Sequence, residues 1–176
     1  QAFDFTALNG LSQQLLIRAA LDDADACLGT LMEAHGTGTG LGDPIEVGAM
    51  SAIASNGDGC LVFGIKGNVG HTESASGMIG MTKLLCAMRC AHTAPNAQLA
   101  VLAGHVAAAW ESAPSACALP SQLTTAAAGL TDGTVSSFGL GDTIASAVIR
   151  VFEEPSPYRA DADRPHGPKF RHRSFL

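Results

Sequence analysis

Twice along this chain an apolar run gives way to a histidine framed by glycine, and then to a helix-forming stretch. The first instance is Glu33-Ala34-His35-Gly36-Thr37-Gly38-Thr39, and the second is Lys66-Gly67-Asn68-Val69-Gly70-His71-Thr72. A buried strand running through a tight turn into a helix is where α/β folds display reactive side chains. The pattern therefore points to a layered α/β plan. Two such histidines, with Lys66 close by and no nucleophile beside them, predict half of an active site.

The other segments fit that plan. Asn9-Gly10 turns into a helix expected from about Ser12 to Leu21, with Leu11, Leu15, Ile17 and Ala20 mostly on one stripe. Leu28–Ala34 reads as a buried strand. Asp43 is expected to cap the next helix, with Pro44 in its first turn and Glu46 three residues after the cap. Asn56-Gly57-Asp58-Gly59 is a turn, and Cys60–Ile65 a second short strand ending at Lys66. A long helix is expected from about Thr72 to Arg89, where Ala75, Gly77 and Gly80 permit close backbone packing. Residues 93–132 predict irregular connections, with a short helix around Leu99–Trp110. Thr134–Phe138 and Ile144–Phe152 read as a hairpin joined across Gly139-Leu140-Gly141-Asp142.

With 176 residues and 47% of them apolar, the chain is long enough for about one domain with a real core. A formal charge of −6 argues against a general nucleic-acid binder. The basic residues gather late, with Arg159, Arg164, Lys169, Arg171 and Arg173 in the Pro/basic tail. No apolar run is long enough to span a membrane. The chain opens on Gln1, so a preceding segment is expected to have been removed or left out. Cys27, Cys60, Cys86, Cys90 and Cys117 form no CxxC pair and no zinc-like spacing. An odd count with no secretory pattern favours reduced, mostly buried thiols, with Cys117 structural.

The glycine-rich loop after His35 fails the dinucleotide pattern GxGxxG, and no P-loop is present. Its glycines instead let backbone approach a thin, extended ligand, while Thr37 and Thr39 offer hydroxyls. A tight turn with a satisfied histidine is the plainer alternative for His35 alone. His71, set at a helix start, is disfavoured as imidazolium by the dipole. A neutral ring there donates a hydrogen bond to a carbonyl or enolate oxygen. Lys66 either holds an acid or stands as a solvated surface lysine.

At this point a resemblance emerges. Glu33–Thr39 followed by Leu41-Gly42-Asp43-Pro44-Ile45-Glu46 resembles the first histidine motif of β-ketoacyl synthases of the polyketide and fatty-acid type. Lys66–Glu73, with Ala75 and Gly77 after it, resembles their lysine-plus-histidine motif. Val135-Ser136-Ser137-Phe138-Gly139 is similar to the run near the end of that domain. The stretch from Asn9 through Gln13-Gln14 to Leu21 resembles the helix before the first histidine. The resemblance implies the C-terminal half of a thiolase-like fold, over residues 1–153, with 154–176 packing on the domain or on a partner. It implies decarboxylative Claisen condensation between an acyl thioester and a malonyl unit on an acyl-carrier protein. His35 and His71 would stabilise the enolate, with Lys66 supporting them. Thr37 and Thr39 would contact the phosphopantetheine arm that the carrier protein brings. The backbone N–H of Leu140 would complete the oxyanion hole. No metal or other cofactor is implied.

The chain also departs from the family. The nucleophilic cysteine belongs to the other half, and Cys27 lacks its framing residues. Asp142-Thr143-Ile144-Ala145-Ser146 stands where the family has Gly-Thr-Asn-Ala-His. A strand expected ahead of Asn9, central to the family's sheet, is not evident, so an N-terminal ketosynthase half or another chain should supply it. Two readings stand: a half-domain that condenses with its nucleophile-bearing half, or a catalytically inactive structural subunit of a larger assembly.

Overall fold

The structure, a computed structural model, describes residues 9–26, 31–54, 60–97, 99–111, 117–125, 132–139 and 143–152. In chain order these form α1 (Gly10–Asp23), β1 (Leu31–Glu33), α2 (Gly42–Ala54), β2 (Leu61–Phe63) and the one-turn helix α3 (Lys66–Val69). There follow α4 (Ser76–Cys90), β3 (His92–Thr93), α5 (Gly104–Glu111), β4 (Thr124–Thr125), β5 (Asp132–Phe138) and β6 (Ile144–Arg150). The main sheet has four strands in the order β2-β1-β5-β6. β1 is parallel to β2 and β5, while β6 returns antiparallel to β5. β3 and β4 make a separate antiparallel ribbon.

β1 is buried without alternation because both sheet faces are covered. Leu31 packs with Phe63, Val135 and the α4 residues Leu84, Ala87 and Met88. Met32 packs with Val62 and the α2 residues Met50 and Ala54. Ile17 and Leu21 of α1 join Ile53 beneath α2. Asn9 starts α1 by accepting the Leu11 and Ser12 N–H groups on its side chain. The small residues of α4 act as their spacing predicts. A Cβ at Gly77 would lie 3.2 Å from Ser137 Cβ, and one at Gly80 would lie 3.1 Å from Glu33 Cγ.

Several expectations change. The sheet has no central vacancy, because β1 pairs directly with β5. Any further strand therefore belongs at an edge, and β6 has no second strand partner among the described residues. The thiols are not all reduced: Cys60 and Cys117 form a disulfide, and Cys86 and Cys90 are exposed rather than buried. Burial of the Cys60–Cys117 pair against β2 brings together two residues that no spacing rule connects. The long helix begins at Ser76, after a 3₁₀ turn at Glu73–Ala75. Lys66 opens α3 rather than closing a strand. Cys27, the 56–59 turn, Leu140–Asp142 and the 154–176 tail lie outside the described residues. No helix among the described residues is long and apolar enough to cross a membrane.

Candidate active site

Parallel pairing of β1 and β2 places both histidine motifs at the same end of the sheet. Past β1 the ladder continues one step, the Ala34 N–H reaching the Phe63 carbonyl at 2.8 Å. The chain then turns through Gly36 and Gly38, whose φ angles of +49° and +76° suit glycine.

Two carboxylates of α2 shape this loop from behind. Glu46 accepts the His35 N–H on Oε1 at 2.6 Å and the Gly36 N–H on Oε2 at 2.8 Å. Asp43 Oδ1 accepts the Gly38 and Thr39 N–H groups at 3.1 and 3.3 Å. Neither residue caps α2 as expected. Thr39 does, its Oγ1 accepting the Gly42 N–H at 3.1 Å. The helix starts at Gly42, two residues earlier than an Asp43 cap indicates, which frees both acids to bind the loop.

His71 follows α3 and Gly70, whose φ is +81°. It stands five positions before α4 rather than at its first turn. Its Nδ1 accepts the Glu73 N–H at 3.1 Å, so the neutral ring carries its proton on Nε2. The ring is exposed and stands edge-on to His35, with centroids 5.6 Å apart and planes at 86°. Phe138 of β5 closes the other side of His35 at 5.5 Å. His35 is buried, and its Nδ1 has no hydrogen-bond partner among the described residues.

A cavity of about 670 Å³ gathers His35, His71, Thr37, Thr39, Phe138 and Gln13. The Thr37 and Thr39 hydroxyls lie 3.4 Å apart at its wall. Lys66 lines a different cavity of about 570 Å³ on the far side of the loop, with Asn96 and Leu102. His71, Thr37 and Glu46 border both. The structure thus brings the histidines and threonines together and sets Lys66 behind them. Leu140 lies outside the described residues.

Burial dominates the electrostatics. It lowers the His35 pKa to about 4, with help from Lys66 and His71, so the ring is neutral near pH 7. It pushes Glu46 up to about 7, against the pull of the two amides the carboxylate accepts. The Lys66 ammonium is driven down by burial and drawn back by Glu46, Glu33 and Asp43.

Sequence reasoning missed the roles of four residues. Glu46 was legible only as the residue three after an Asp43 cap and as the end of the first histidine motif, not as the acceptor of the His35 and Gly36 amides. Glu33 and Lys83 form a buried ion pair behind the site, signalled only by an acid ending an apolar strand and a lysine within an apolar helix. Asn96, in the weakly patterned region, saturates its amide on backbone. Its Oδ1 accepts the Gly64 N–H at 2.8 Å, and its Nδ2 donates to the Val62 and Pro120 carbonyls at 3.1 and 3.3 Å. Among the described residues no cysteine lines either cavity, and none clusters with acids or histidines to hold a metal.

The sheet order and its flanking helices define the C-terminal half of a thiolase-like α/β fold. Ketosynthase twelve of the bacillaene polyketide synthase of Bacillus amyloliquefaciens superposes with a TM-score of 0.75 at 27% identity, covering 89% of this chain and 29% of that one. The oxazolomycin ketosynthase domain of Streptomyces albus gives a TM-score of 0.74 at 28% identity, covering 86% of this chain and 28% of that one. Residues 2–100 match the family described as beta-ketoacyl synthase, C-terminal domain, and the chain belongs to that family. The polyketide synthase GfsA of Streptomyces halstedii is 38% identical over 90% of this chain and 2% of its own length. The pikromycin polyketide synthase component PikAII of Streptomyces venezuelae is 40% identical over 91% of this chain and 4% of its own length. The chain thus spans a small part of the proteins it resembles.

Proposed function

We propose that this chain is the enolate-stabilising half of a β-ketoacyl synthase. The observation that carries the reading is the His71 tautomer: with Nδ1 occupied by the Glu73 N–H, the only ring donor is Nε2–H, beside the neutral His35. A neutral His35 and the His71 Nε2–H facing one cavity suit an oxygen that gains charge during reaction.

On this reading a malonyl thioester, carried on the phosphopantetheine of an acyl-carrier protein, enters past the Thr37 and Thr39 hydroxyls. The bond between its carboxylate and α-carbon breaks, carbon dioxide leaves, and the electron pair becomes the thioester enolate. His35 and His71 donate hydrogen bonds to that oxygen. The α-carbon then attacks an acyl thioester on a cysteine of the other half and expels the thiolate. The oxyanion formed in that attack would bind the Leu140 N–H. Lys66 supplies positive charge behind the histidines, which opposes protonation of His35.

The N-terminal ketosynthase half is the partner this geometry favours. Met78, Thr82 and Cys86 expose one face of α4, and the β6 edge lacks a strand among the described residues. A structural, non-catalytic use is favoured by one observation. Ser146, at the family's histidine position, bonds back into β5 through Ser136 and the Val135 carbonyl.

The deciding experiment measures carbon dioxide release from malonyl-carrier protein by the complete ketosynthase. His71→Ala should abolish most of the release. Undiminished release, or none from the unaltered protein, would sink the catalytic reading and leave the structural one.

A further inference from the structure

Glu33 closes β1 two residues before His35, and its carboxylate is 1% exposed. Oε1 accepts the Ile65 N–H at 2.7 Å. Oε2 lies 3.5 Å from Lys83 Nζ, a long ion-pair contact rather than a short hydrogen bond. Lys83 is 8% exposed and its Nζ sits 4.6 Å from the Phe63 ring centroid. Gly80, one turn before Lys83, lets α4 approach the Glu33 stem closely.

Burying such a pair is costly, and an apolar pair of similar volume often serves a core as well. Ile65 gives the pair a reason. Its N–H is held by Glu33, while its carbonyl accepts the Asn68 and Val69 N–H groups at 2.8 and 3.1 Å. Ile65 is therefore the residue from which α3 springs, and α3 carries Lys66 at its start and leads to His71.

We propose that Glu33, steadied by Lys83, is a positioning residue for both histidine motifs: by holding the Ile65 N–H it sets the turn bearing Lys66 and His71 against the strand bearing His35. Burial pushes the Glu33 carboxyl up to about 7 and the Lys83 ammonium down, and each partner offsets the other's shift. The catalytic consequence rests on the condensation reading, whereas the positioning of the turn does not.

Two double variants of the complete ketosynthase separate positioning from simple packing. Glu33→Gln/Lys83→Met removes both charges and keeps an oxygen that accepts the Ile65 N–H. Glu33→Leu/Lys83→Met removes both charges and the acceptor. Both keep the volume of the core, and thermal denaturation checks that both fold. The glutamine variant is expected to decarboxylate malonyl-carrier protein at least about tenfold faster than the leucine variant, because small misplacements of a reacting group carry large rate losses. Acylation of the nucleophilic cysteine should differ little between them. Amide hydrogen exchange at Ile65, Asn68 and Val69 should quicken only in the leucine variant. Equal decarboxylation together with equal exchange overturns the proposal. If the unaltered protein does not decarboxylate, the condensation reading falls and exchange alone decides: quickening confined to the leucine variant supports the positioning role, and equal exchange overturns it.

Discussion

The His35 and His71 rings meet edge to face with centroids 5.6 Å apart, although 35 residues separate them in the chain. Parallel pairing of β1 with β2 creates this meeting, since both strands end at the same side of the sheet. Glu46 then holds the peptide of the first ring, and the Glu73 N–H orients the second. The two rings are thus fixed by different means: His35 by its backbone and burial, His71 by its own Nδ1.

That difference predicts how His71 tolerates change. His71→Ala removes the Nε2–H donor and is expected to slow decarboxylation by about 10²- to 10³-fold, the usual effect of losing one such donor. His71→Asn retains an N–H donor on a shorter side chain and should recover part of the rate. Carbon dioxide release under saturating malonyl-carrier protein compares the two. Equal rates in both variants would argue that the ring acts by bulk rather than by donation.

Stability should fall as pH rises from about 4.5 toward 7. Glu33 and Glu46 have folded pKa values of about 7, above the ordinary 4.5, so the folded state holds their protons more tightly. Their contribution is fully present below about 4.5 and is lost as pH rises through 7. His35 acts in the opposite sense. Its folded value of about 4 lies below the ordinary 6.5, so its contribution is present above 6.5 and lost as pH falls toward 4. Between 4.5 and 6.5 the two carboxyls outweigh the single imidazole. Urea denaturation across this range should show the midpoint falling with pH, and Glu46→Gln should flatten that slope. A midpoint that rises with pH would contradict the assignment of both carboxyls.

The histidines, the small residues of α4 and the final hairpin were legible because each depends on local pattern: a turn after an apolar run, a helical period, a strand alternation. What stayed hidden depends on distant partners. Glu46 looked like the companion of an Asp43 cap because an acid three residues on is the local capping pattern, yet its partners are the His35 and Gly36 amides across the loop. The missing strand looked central until β1 was seen to pair with β5. Cys60 and Cys117 carry no spacing signal, being 57 residues apart.

Asn96 should be as hard to replace as a core residue, despite its irregular surroundings. Its amide fills bonding needs on Val62, Gly64 and Pro120, and so holds the end of β2 just ahead of Lys66. Asn96→Ala leaves those backbone groups unpaired and is expected to destabilise the fold by about 1–3 kcal/mol. Asn96→Asp keeps the Gly64 contact but turns a donor toward two carbonyls into an acceptor, so it should be no better than alanine near neutral pH. Chemical denaturation of the two variants tests this. A stable aspartate variant would show that the Nδ2 donations matter little.

The Cys60–Cys117 bond should make stability sensitive to reductant. It fastens the start of β2 to the strand-like segment at Ala118, which also exchanges hydrogen bonds with Cys60 and Val62 at 2.7 and 2.8 Å. A link spanning 57 residues restricts the unfolded chain considerably, and removing one of this reach costs about 2–4 kcal/mol. Dithiothreitol should therefore lower the denaturation midpoint of the unaltered protein. The Cys60→Ala/Cys117→Ala variant should begin at the lower midpoint and ignore the reductant. Thiol titration of the unfolded chain should find two fewer reactive groups before reduction than after it. Equal titrations, or a midpoint that dithiothreitol leaves in place, would show that the β2 edge is held by its hydrogen bonds alone.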